Sequence, residues 1–209
     1  LVQQYRSAFV YCFHHPKIGT WLGASPEQLL KANADSFETM ALAGTQKVVG
    51  EETVIWQQKE KEEQQFVTDY IVSKLKEVSA EIQVSEAYSV KAGTLWHIKT
   101  DISGVFGPEL DLKKAIQLLH PTPAVCGLPK AISKAFIVAN ENYNRSFYTG
   151  FLGELNRNFA SDLFVNLRCM QIENKEAHLY MGCGITKDSD PEKEWRESVN
   201  KSMTMKRIL

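Results

Sequence analysis

Two pairs of glutamates in this sequence have the residue type and the spacing that a divalent cation requires. Glu60 and Glu63 lie three residues apart in the segment WQQKEKEEQQFV, and Glu194 and Glu197 have the same spacing in DPEKEWRESVNK. At about 100° per residue, each pair occupies one face of a helix. Magnesium binds carboxylate oxygens, keeps several waters and often takes substrate oxygens as its remaining ligands. Two acidic faces on two helices therefore indicate a candidate Mg²⁺ site.

A simpler interpretation of the same residues stays open at this point. A run of charges on a helix is ordinarily a solvated face, and acids near a helix start are stabilised by the helix dipole. Lys201 lies four residues after Glu197, which is the spacing of an ordinary surface ion pair. Trp195 and Met203 argue instead for a helix that is packed on more than one side. Spacing alone favours the solvated face.

Other polar groups stand alone in apolar segments. Arg168 lies in LFVNLRCM, where strand alternation places it on the same face as Asn166 and Met170. It is either a sheet-edge arginine or a bidentate clamp for a carboxylate. His97 in TLWHI is either a hydrogen-bonded core histidine or a catalytic residue. Glycines follow apolar strands in LAGT and YMGCGI, where they would let the backbone approach a ligand closely.

The composition is that of an ordinary globular protein with one sizeable core. The chain has 209 residues, is 44% hydrophobic and 23% charged, and carries a net charge of −1, which provides no basic field for nucleic acid. No apolar run approaches a membrane span, and no signal-peptide pattern opens the chain. The four cysteines are scattered, which indicates free thiols in a reducing compartment. We expect a cytoplasmic protein without nucleic-acid or membrane partners, and the sequence leaves its oligomeric state open.

The apolar pattern predicts an α+β protein with antiparallel β-sheets packed against helices, in one domain over residues 1–209. Alternation predicts strands at 6–15, 18–24, 36–45, 82–90, 94–102, 147–152, 161–173 and 176–185. The first two, joined by the turn-like PK at 16–17, are predicted to form a hairpin, and so are the last two. Capping residues and helical periodicity predict helices at 25–32, 52–78, 110–119 and 129–140, and from Pro191 with Asp190 as N-cap. The apolar stripe of the long helix is formed by Val67, Tyr70, Ile71, Leu75 and Val78. Strands and helices occur in blocks, which favours antiparallel sheets over βαβ units.

In their order along the chain, these segments resemble the catalytic domain of the chorismate-binding enzymes. That family includes isochorismate, anthranilate, aminodeoxychorismate and salicylate synthases. The resemblance extends from about Phe9 to Met205 and rests on GASPEQLL, LAGT, KEKEEQ, TLWH, HPTPAVCGLPKA, NRSFYTGFLGEL, LRC, YMGCGI and SDPEKEWRESVNK. Within the family, HPTPAVCGLPK resembles the isochorismate synthases. The resemblance implies an αββα-type fold and a Mg²⁺-dependent conversion of chorismate to isochorismate, for menaquinone or catechol siderophore synthesis. One alternative is a sister enzyme that releases pyruvate or takes ammonia, and another is a non-catalytic module that uses the fold for partner contacts.

The resemblance also implies roles for individual residues. Glu27 matches the general acid that protonates the departing 4-hydroxyl of chorismate, and His97 matches a histidine that lines the pocket near the ring. The four glutamates of the two acidic faces match the metal-binding carboxylates. The direct Mg²⁺ ligands would be Glu63 and Glu197, and the metal's waters would be held by Glu60 and Glu194.

The remaining matches are to substrate-binding positions. They are Gly44, Thr45, Ala124, Tyr148, Arg168, Gly182 and Lys201. The residue types suit the substrate, because chorismate is a dianion whose two carboxylates must be offset by a metal, an arginine and a lysine before it can be enclosed. Loss of a hydroxide-like leaving group also needs an acid that is still protonated near neutral pH, which a desolvated glutamate provides. Water then adds at ring carbon 2 as the 4-hydroxyl leaves.

One part of the family pattern has no counterpart in this sequence. The family activates water with a lysine in a KVVL[SA]R-like strand upstream of the region where this chain begins. The segment KVVG at 47–50 follows LAGTQ, so it stands in a different place. The chain also begins at Leu1 with strand-like sequence. We therefore expect it to be the C-terminal part of a longer enzyme and to be inactive, or nearly so, by itself.

Overall fold

The computed structural model describes residues 1–47, 54–92, 95–108, 112–158 and 160–209. Its strands are β1 (Phe9–His15), β2 (Gly19–Ser25), β3 (Gln28–Asn33), β4 (Ser36–Lys47), β5 (Ser79–Val84), β6 (Tyr88–Ala92), β7 (Leu95–Phe106), β8 (Phe151–Arg157), β9 (Ala160–Val165), β10 (Cys169–Glu173) and β11 (Glu176–Tyr180). Its helices are α1 (Gln58–Leu75), α2 (Leu112–Leu119), α3 (Pro123–Cys126), α4 (Lys130–Asn140) and α5 (Pro191–Lys206). The predicted positions 52–53, 94 and 110–111, and most of KVVG, lie outside the described residues.

The strands pair antiparallel in two sheets, as the sequence predicts. One sheet has four strands in the order β1-β2-β10-β11. The other has seven, in the order β5-β7-β4-β3-β9-β8, with β6 paired to β7. The predicted hairpin at the start of the chain is confirmed, because β1 and β2 pair with Phe13 opposite Trp21.

Each sheet has a helix packed against it, as an αββα-type fold requires. On α1, the buried residues Val67, Ile71 and Leu75 pack into a core cluster with Ala41 of β4. The predicted stripe is confirmed for these residues and for the partly buried Tyr70, whereas Val78 packs on the cluster from beyond the end of the helix. Each such burial contributes about 1.5–3 kcal/mol. On α5, Met205 is fully buried in a second cluster with residues of β2 and β10. Among the described helices, none combines the length and apolar character needed to cross a bilayer.

The helix predicted at 25–32 is wrong, because the structure has a strand there. Ser25 ends β2, and its hydroxyl donates to the carbonyl of Val165 rather than capping a helix. β3 then pairs with β4 on one side and β9 on the other. Leu29 and Leu30 are 2% and 0% exposed. Pairing on both edges together with this burial outweighs the local helix-start signal.

The single strand predicted at 161–173 is two strands that belong to different sheets. Residues 166–168 interrupt the extended backbone between β9 and β10, and Arg168 has φ +47° there. This left-handed conformation is incompatible with an extended strand. The sequence pattern predicts that Arg168 shares one strand face with Asn166 and Met170, and this prediction is wrong. Arg168 lies where the chain crosses from one sheet to the other.

Smaller differences concern the ends of elements and the packing of the last helix. The strand predicted at 147–152 begins only at Phe151, and the one predicted at 176–185 ends at Tyr180. The single strand predicted at 82–90 is two strands, β5 and β6, and the helix predicted at 52–78 begins at Gln58 and ends at Leu75. Trp195 is 67% exposed and Met203 is 38% exposed. The inference that these two side chains pack α5 on a second side is wrong within the described structure. The predicted N-cap is confirmed, since the Asp190 carboxylate accepts from the backbone N–H of residue 193 at 3.0 Å.

Two crossovers between the sheets lie side by side. The chain passes from β2 to β3 through Pro26 and Glu27, and from β9 to β10 through residues 166–168. The backbone N–H of Ala24 donates to the carbonyl of Arg168 at 3.2 Å, and that of Val165 donates to the carbonyl of Glu27 at 3.0 Å. These bonds hold the two crossovers together, so the side chains of Glu27 and Arg168 come from one fixed junction.

Candidate active site

A cavity of about 180 Å³ opens at this junction. Most of the residues singled out from the sequence line it, although they come from distant parts of the chain. Those that do are Glu27, Gly44, Thr45, Glu63, His97, Ala124, Tyr148, Arg168, Gly182 and Lys201. The three remaining glutamates, Glu60, Glu194 and Glu197, are not among its lining residues.

Glu27 is the buried acid of the cavity. It is 4% exposed, and its Oε1 accepts a hydrogen bond of 3.2 Å from the hydroxyl of Thr122. Burial raises the pKa of Glu27 to about 7, although this hydrogen bond and the charges of Lys201 and Arg168 act in the opposite direction. The carboxyl group is thus protonated in a large fraction of molecules at neutral pH.

Arg168 and His97 are in contact at the base of the cavity. Arg168 is 5% exposed, and its Nη2 lies 2.6 Å from Nε2 of His97. The other ring nitrogen, Nδ1, is 3.0 Å from the carbonyl oxygen of Gly44 and 3.3 Å from the hydroxyl of Thr45. Burial, followed by the charges of Arg168 and Lys201, lowers the pKa of His97 to about 3. Burial also lowers the pKa of Arg168 to about 10, so its guanidinium remains charged at neutral pH.

Gly44 has a backbone that only glycine adopts easily at this point. Its φ is +71°, and it lies in a bulge of β4 opposite β7. A Cβ there would lie 3.1 Å from the Cβ of Glu60 and 3.3 Å from Cδ1 of Ile98. The glycine that follows the apolar strand in LAGT thus brings its carbonyl to His97, with a backbone conformation that would strain another residue and little room for a Cβ.

Tyr148, Gly182 and Lys201 form one wall. Tyr148 is 7% exposed, and its hydroxyl lies 3.0 Å from the place that a Cβ on Gly182 would occupy. Nζ of Lys201 donates to the carbonyl of Gly182 at 3.0 Å and also pairs with Oε1 of Glu197 at 2.7 Å. The Glu197–Lys201 pair that the spacing predicts is therefore present, and it stands beside the cavity rather than in open solvent.

Three carboxylates and two lysines meet where α1 approaches α5. Burial, followed by the charge of Glu197, raises the pKa of Glu63, and the charges of Lys201 and Lys59 oppose this rise. Glu194 is 5% exposed and is bonded to Nζ of Lys59. Burial acts to raise the pKa of Glu194. The bond to Lys59 and further hydrogen bonds act in the opposite direction and outweigh burial, so this pKa lies below its ordinary value.

Glu60 stands apart from this cluster. Its Oε2 accepts a hydrogen bond of 3.0 Å from the backbone N–H of Gln57, at the start of α1. The carboxylate therefore satisfies one of the free backbone donors of its own helix. The i, i+3 spacing of Glu60 and Glu63 is consistent with one helix face, but only Glu63 lines the cavity.

Several residues near the site were not singled out from the sequence. Lys59 is four residues before Glu63, and this i, i+4 spacing of opposite charges in KEKEE could have indicated from the sequence that Lys59 lies near the acidic face. Arg145 and Glu141 line the mouth of the cavity as an ion pair, also with i, i+4 spacing. Thr122, the hydrogen-bond donor to Glu27, lies in HPTPAVCGLPK and gave no signal of its own, because its partner is 95 residues away.

The carboxylate cluster is the candidate position for Mg²⁺. As they stand, the described residues do not bring three or more acidic, histidine or cysteine side chains together in a set that would hold a metal ion. Magnesium, however, usually takes only one or two protein carboxylates and completes its shell with water and substrate. Oε1 of Glu63 lies only 2.4 Å from the place that a Cβ on Gly184 would fill, so the absence of a side chain at Gly184 makes room for this carboxylate. The donor chemistry of Glu63 and Glu197 fits Mg²⁺, and Lys59 and Lys201 now carry the opposing charge.

One small cavity has around it an acid with a pKa near 7, a buried arginine, a lysine and a cluster of carboxylates. These groups define a site for a small anionic ligand. The likeness to known proteins agrees with this class. The family described as chorismate binding enzyme matches residues 1–209. The chain belongs to that family.

Individual relatives agree with the family assignment. The isochorismate synthase EntC of Escherichia coli K12 is 31% identical over 210 residues, which cover 95% of this chain and 54% of EntC. The crystal structure of DhbC from Bacillus anthracis has a TM-score of 0.89 at 27% identity, over 99% of this chain and 59% of that one. The structure of MenF, the menaquinone-specific isochorismate synthase from Escherichia coli, has a TM-score of 0.82 at 29% identity, over 90% and 46%. The fold and family that the sequence predicts are confirmed. The chain spans about half the length of the curated relatives it matches.

Proposed function

We propose that this chain carries most of the active site of an isochorismate synthase, which converts chorismate to isochorismate reversibly and with Mg²⁺. Water is added at ring carbon 2, and the 4-hydroxyl leaves. The names of the relatives support the reaction, and the cavity supplies groups suited to it.

The state of Glu27 carries the proposal. A departing hydroxyl needs a proton in the transition state, and an acid is most effective when its pKa is near the working pH. Glu27 has a pKa of about 7 because it is buried, and it faces the same cavity as the cationic groups. It would donate its proton to the leaving oxygen. The bond to Thr122 would fix the orientation of the carboxyl group.

The cationic side chains would hold the two carboxylates of the substrate. Arg168 presents a guanidinium that is buried without an acidic partner within ion-pair distance among the described residues. With Tyr148 it would bind the enolpyruvyl carboxylate. Lys201, together with the backbone at Gly44 and Thr45, would bind the ring carboxylate. Two bound carboxylates would offset charges that otherwise repel one another in a small cavity.

Glu63 and Glu197 would hold the Mg²⁺, and Glu194 would hold one of its waters once Lys59 had moved away. When bound, the metal would screen and position the ring carboxylate. Glu60 is the one predicted metal residue whose present geometry does not support its role, because its carboxylate binds the N-terminus of its own helix.

Binding of Mg²⁺ and chorismate to the 209-residue chain tests the site. The wild-type chain should gain thermal stability when both are added, by about 2.7 kcal/mol at a ligand concentration one hundred times Kd. Glu197→Ala should lose the Mg²⁺-dependent part of this gain. Glu192→Ala is the matched control, since Glu192 lies on the same helix but pairs with Arg196 at the surface. If Glu197→Ala and Glu192→Ala behave alike, the acidic face is only solvated.

The products distinguish this activity from that of its sister enzymes. Isochorismate without pyruvate supports the proposal, whereas pyruvate with salicylate, or incorporation of ammonia, supports the alternative. We expect the 209-residue chain by itself to form little or no isochorismate, because the lysine that the resemblance assigns to water activation has no counterpart in this sequence. Products are to be identified with this chain joined to a segment that supplies such a lysine. Rapid isochorismate formation by the 209 residues alone would refute the assignment of the base.

A further inference from the structure

His97 connects the backbone of one sheet to the guanidinium that crosses between the sheets. The contact runs from the carbonyl of Gly44 to Nδ1 of His97, and from Nε2 of His97 to Nη2 of Arg168. We propose that His97 is a neutral histidine with its proton on Nδ1, and that it positions the guanidinium of Arg168 instead of exchanging a proton with the substrate. His97 would then be a positioning residue of the proposed site.

Two independent contacts require the same tautomer. A guanidinium has only donors, so Nε2 of His97 must accept from Arg168 across the distance of 2.6 Å. A backbone carbonyl has only acceptor lone pairs, so Nδ1 must donate to Gly44 across 3.0 Å. With both ring nitrogens engaged, the ring has no lone pair to take a proton and no N–H to give to a ligand in the cavity.

The surroundings keep the ring neutral. His97 is 4% exposed, so its charged form would lose nearly all contact with solvent. The charges that act on it are those of Arg168 and Lys201, and both are cations. Protonation of Nε2 would also set an N–H against the guanidinium. Burial and these two charges give the low pKa of about 3, so the neutral form persists through the physiological range.

Arg168 needs such an anchor because its own position gives it few others. It lies in a crossover with φ +47°, and among the described residues its side chain makes one hydrogen bond, which is the contact with His97. The other hydrogen-bond partner of His97 is fixed in position, since Gly44 lies in a bulge of β4. His97 therefore sets the direction of one guanidinium nitrogen and leaves the other N–H groups for an anion. That this anion is a substrate carboxylate rests on the proposed function, whereas the tautomer and the contact do not.

Nitrogen-15 NMR of the histidine rings in the 209-residue chain tests the tautomer without any ligand. The chain has five histidines, and the His97 signals are those missing from the spectrum of His97→Gln. We expect a protonated Nδ1 and an unprotonated Nε2 at every pH from about 5 to about 8. A proton on Nε2, or a titration of His97 within that range, would overturn the proposal.

Chorismate affinity in the presence of Mg²⁺ tests the positioning role. His97→Ala removes the acceptor and should weaken binding about tenfold or more, as expected for loss of a hydrogen bond to a charged group. His97→Gln retains an oxygen that can accept from Arg168, so it should restore affinity to within about threefold of the wild type. Its pH profile of binding should keep the wild-type shape. Unchanged affinity in both variants, or a limb of the pH profile lost in both, would show that His97 acts otherwise. If the wild-type chain does not bind chorismate, the proposed function fails, and the NMR result still decides the state of His97.

Discussion

Replacing Glu27 by glutamine should change how the stability of the chain depends on pH. The carboxyl group is buried and has a native pKa of about 7, against 4.5 for an ordinary glutamate. Glutamine has nearly the same shape, can accept the hydrogen bond from Thr122, and carries no ionisable group. The difference between the wild type and Glu27→Gln therefore isolates the cost of ionising this one carboxyl group inside the protein.

The sign follows from the number of protons bound in each state. Between about pH 4.5 and pH 7, unfolded chains have lost the Glu27 proton while native molecules still hold it. The free energy of unfolding therefore falls as the pH rises through this range and levels off above it. The two pKa values correspond to about 3 kcal/mol in total, of which about 2.5 kcal/mol falls between pH 5 and pH 8. For a chain of this size, that amount corresponds to about 5–10 °C in Tm.

Urea denaturation of both chains at pH 5 and pH 8 measures this difference. We expect the wild type to lose about 2.5 kcal/mol more than Glu27→Gln over this pH change. Other groups with shifted pKa values, such as Glu63, are present in both chains and cancel in the comparison. Parallel pH profiles for the two chains would refute the reasoning, because they would mean that Glu27 is ionised in the native state at pH 5.

Two further predictions concern the carboxylate cluster. Lys59→Gln removes a cation that competes with Mg²⁺ for the carboxylates, so calorimetry should show Mg²⁺ binding about three to ten times tighter. The control Lys61→Gln, at an exposed position of the same helix, should change Mg²⁺ affinity little. Weaker Mg²⁺ binding in Lys59→Gln would contradict the competition. Gly184→Ala places a Cβ at 2.4 Å from Oε1 of Glu63. The carboxylate must move, so Mg²⁺ affinity should fall about tenfold with little change in Tm. The control Gly107→Ala, whose Cβ meets nothing closer than 3.5 Å, should keep wild-type affinity, and an equal effect in both glycine variants would count against the site.

The sequence predicted well those features that depend on neighbouring residues. The stripe of α1, the Asp190 cap and the first hairpin follow from periodicity and capping within a few turns of chain, and all are confirmed. The segment at 25–32 carries an equally local signal and gave a wrong helix. Its strand is stabilised by pairing with β9, whose residues lie more than 120 residues further along the chain. Local propensity amounts to less than about 1 kcal/mol per residue, so two paired edges and two buried leucines override it.

For the candidate site too, local sequence does not predict the partners of charged side chains. Spacing within one helix identifies which glutamates share a face, but it does not identify what that face meets. Glu194 meets Lys59, which is 135 residues away, while Glu60 binds the start of its own helix. Glu194 is thus stabilised by a cation and Glu60 by a hydrogen-bond donor, and both favour the ionised carboxylate. The choice between a lysine and a metal as that partner depends on the approach of α1 to α5, which is a property of the folded chain. Lys59 therefore belongs to the candidate site as fully as the glutamates do, because any cation that enters the cluster must first compete with it.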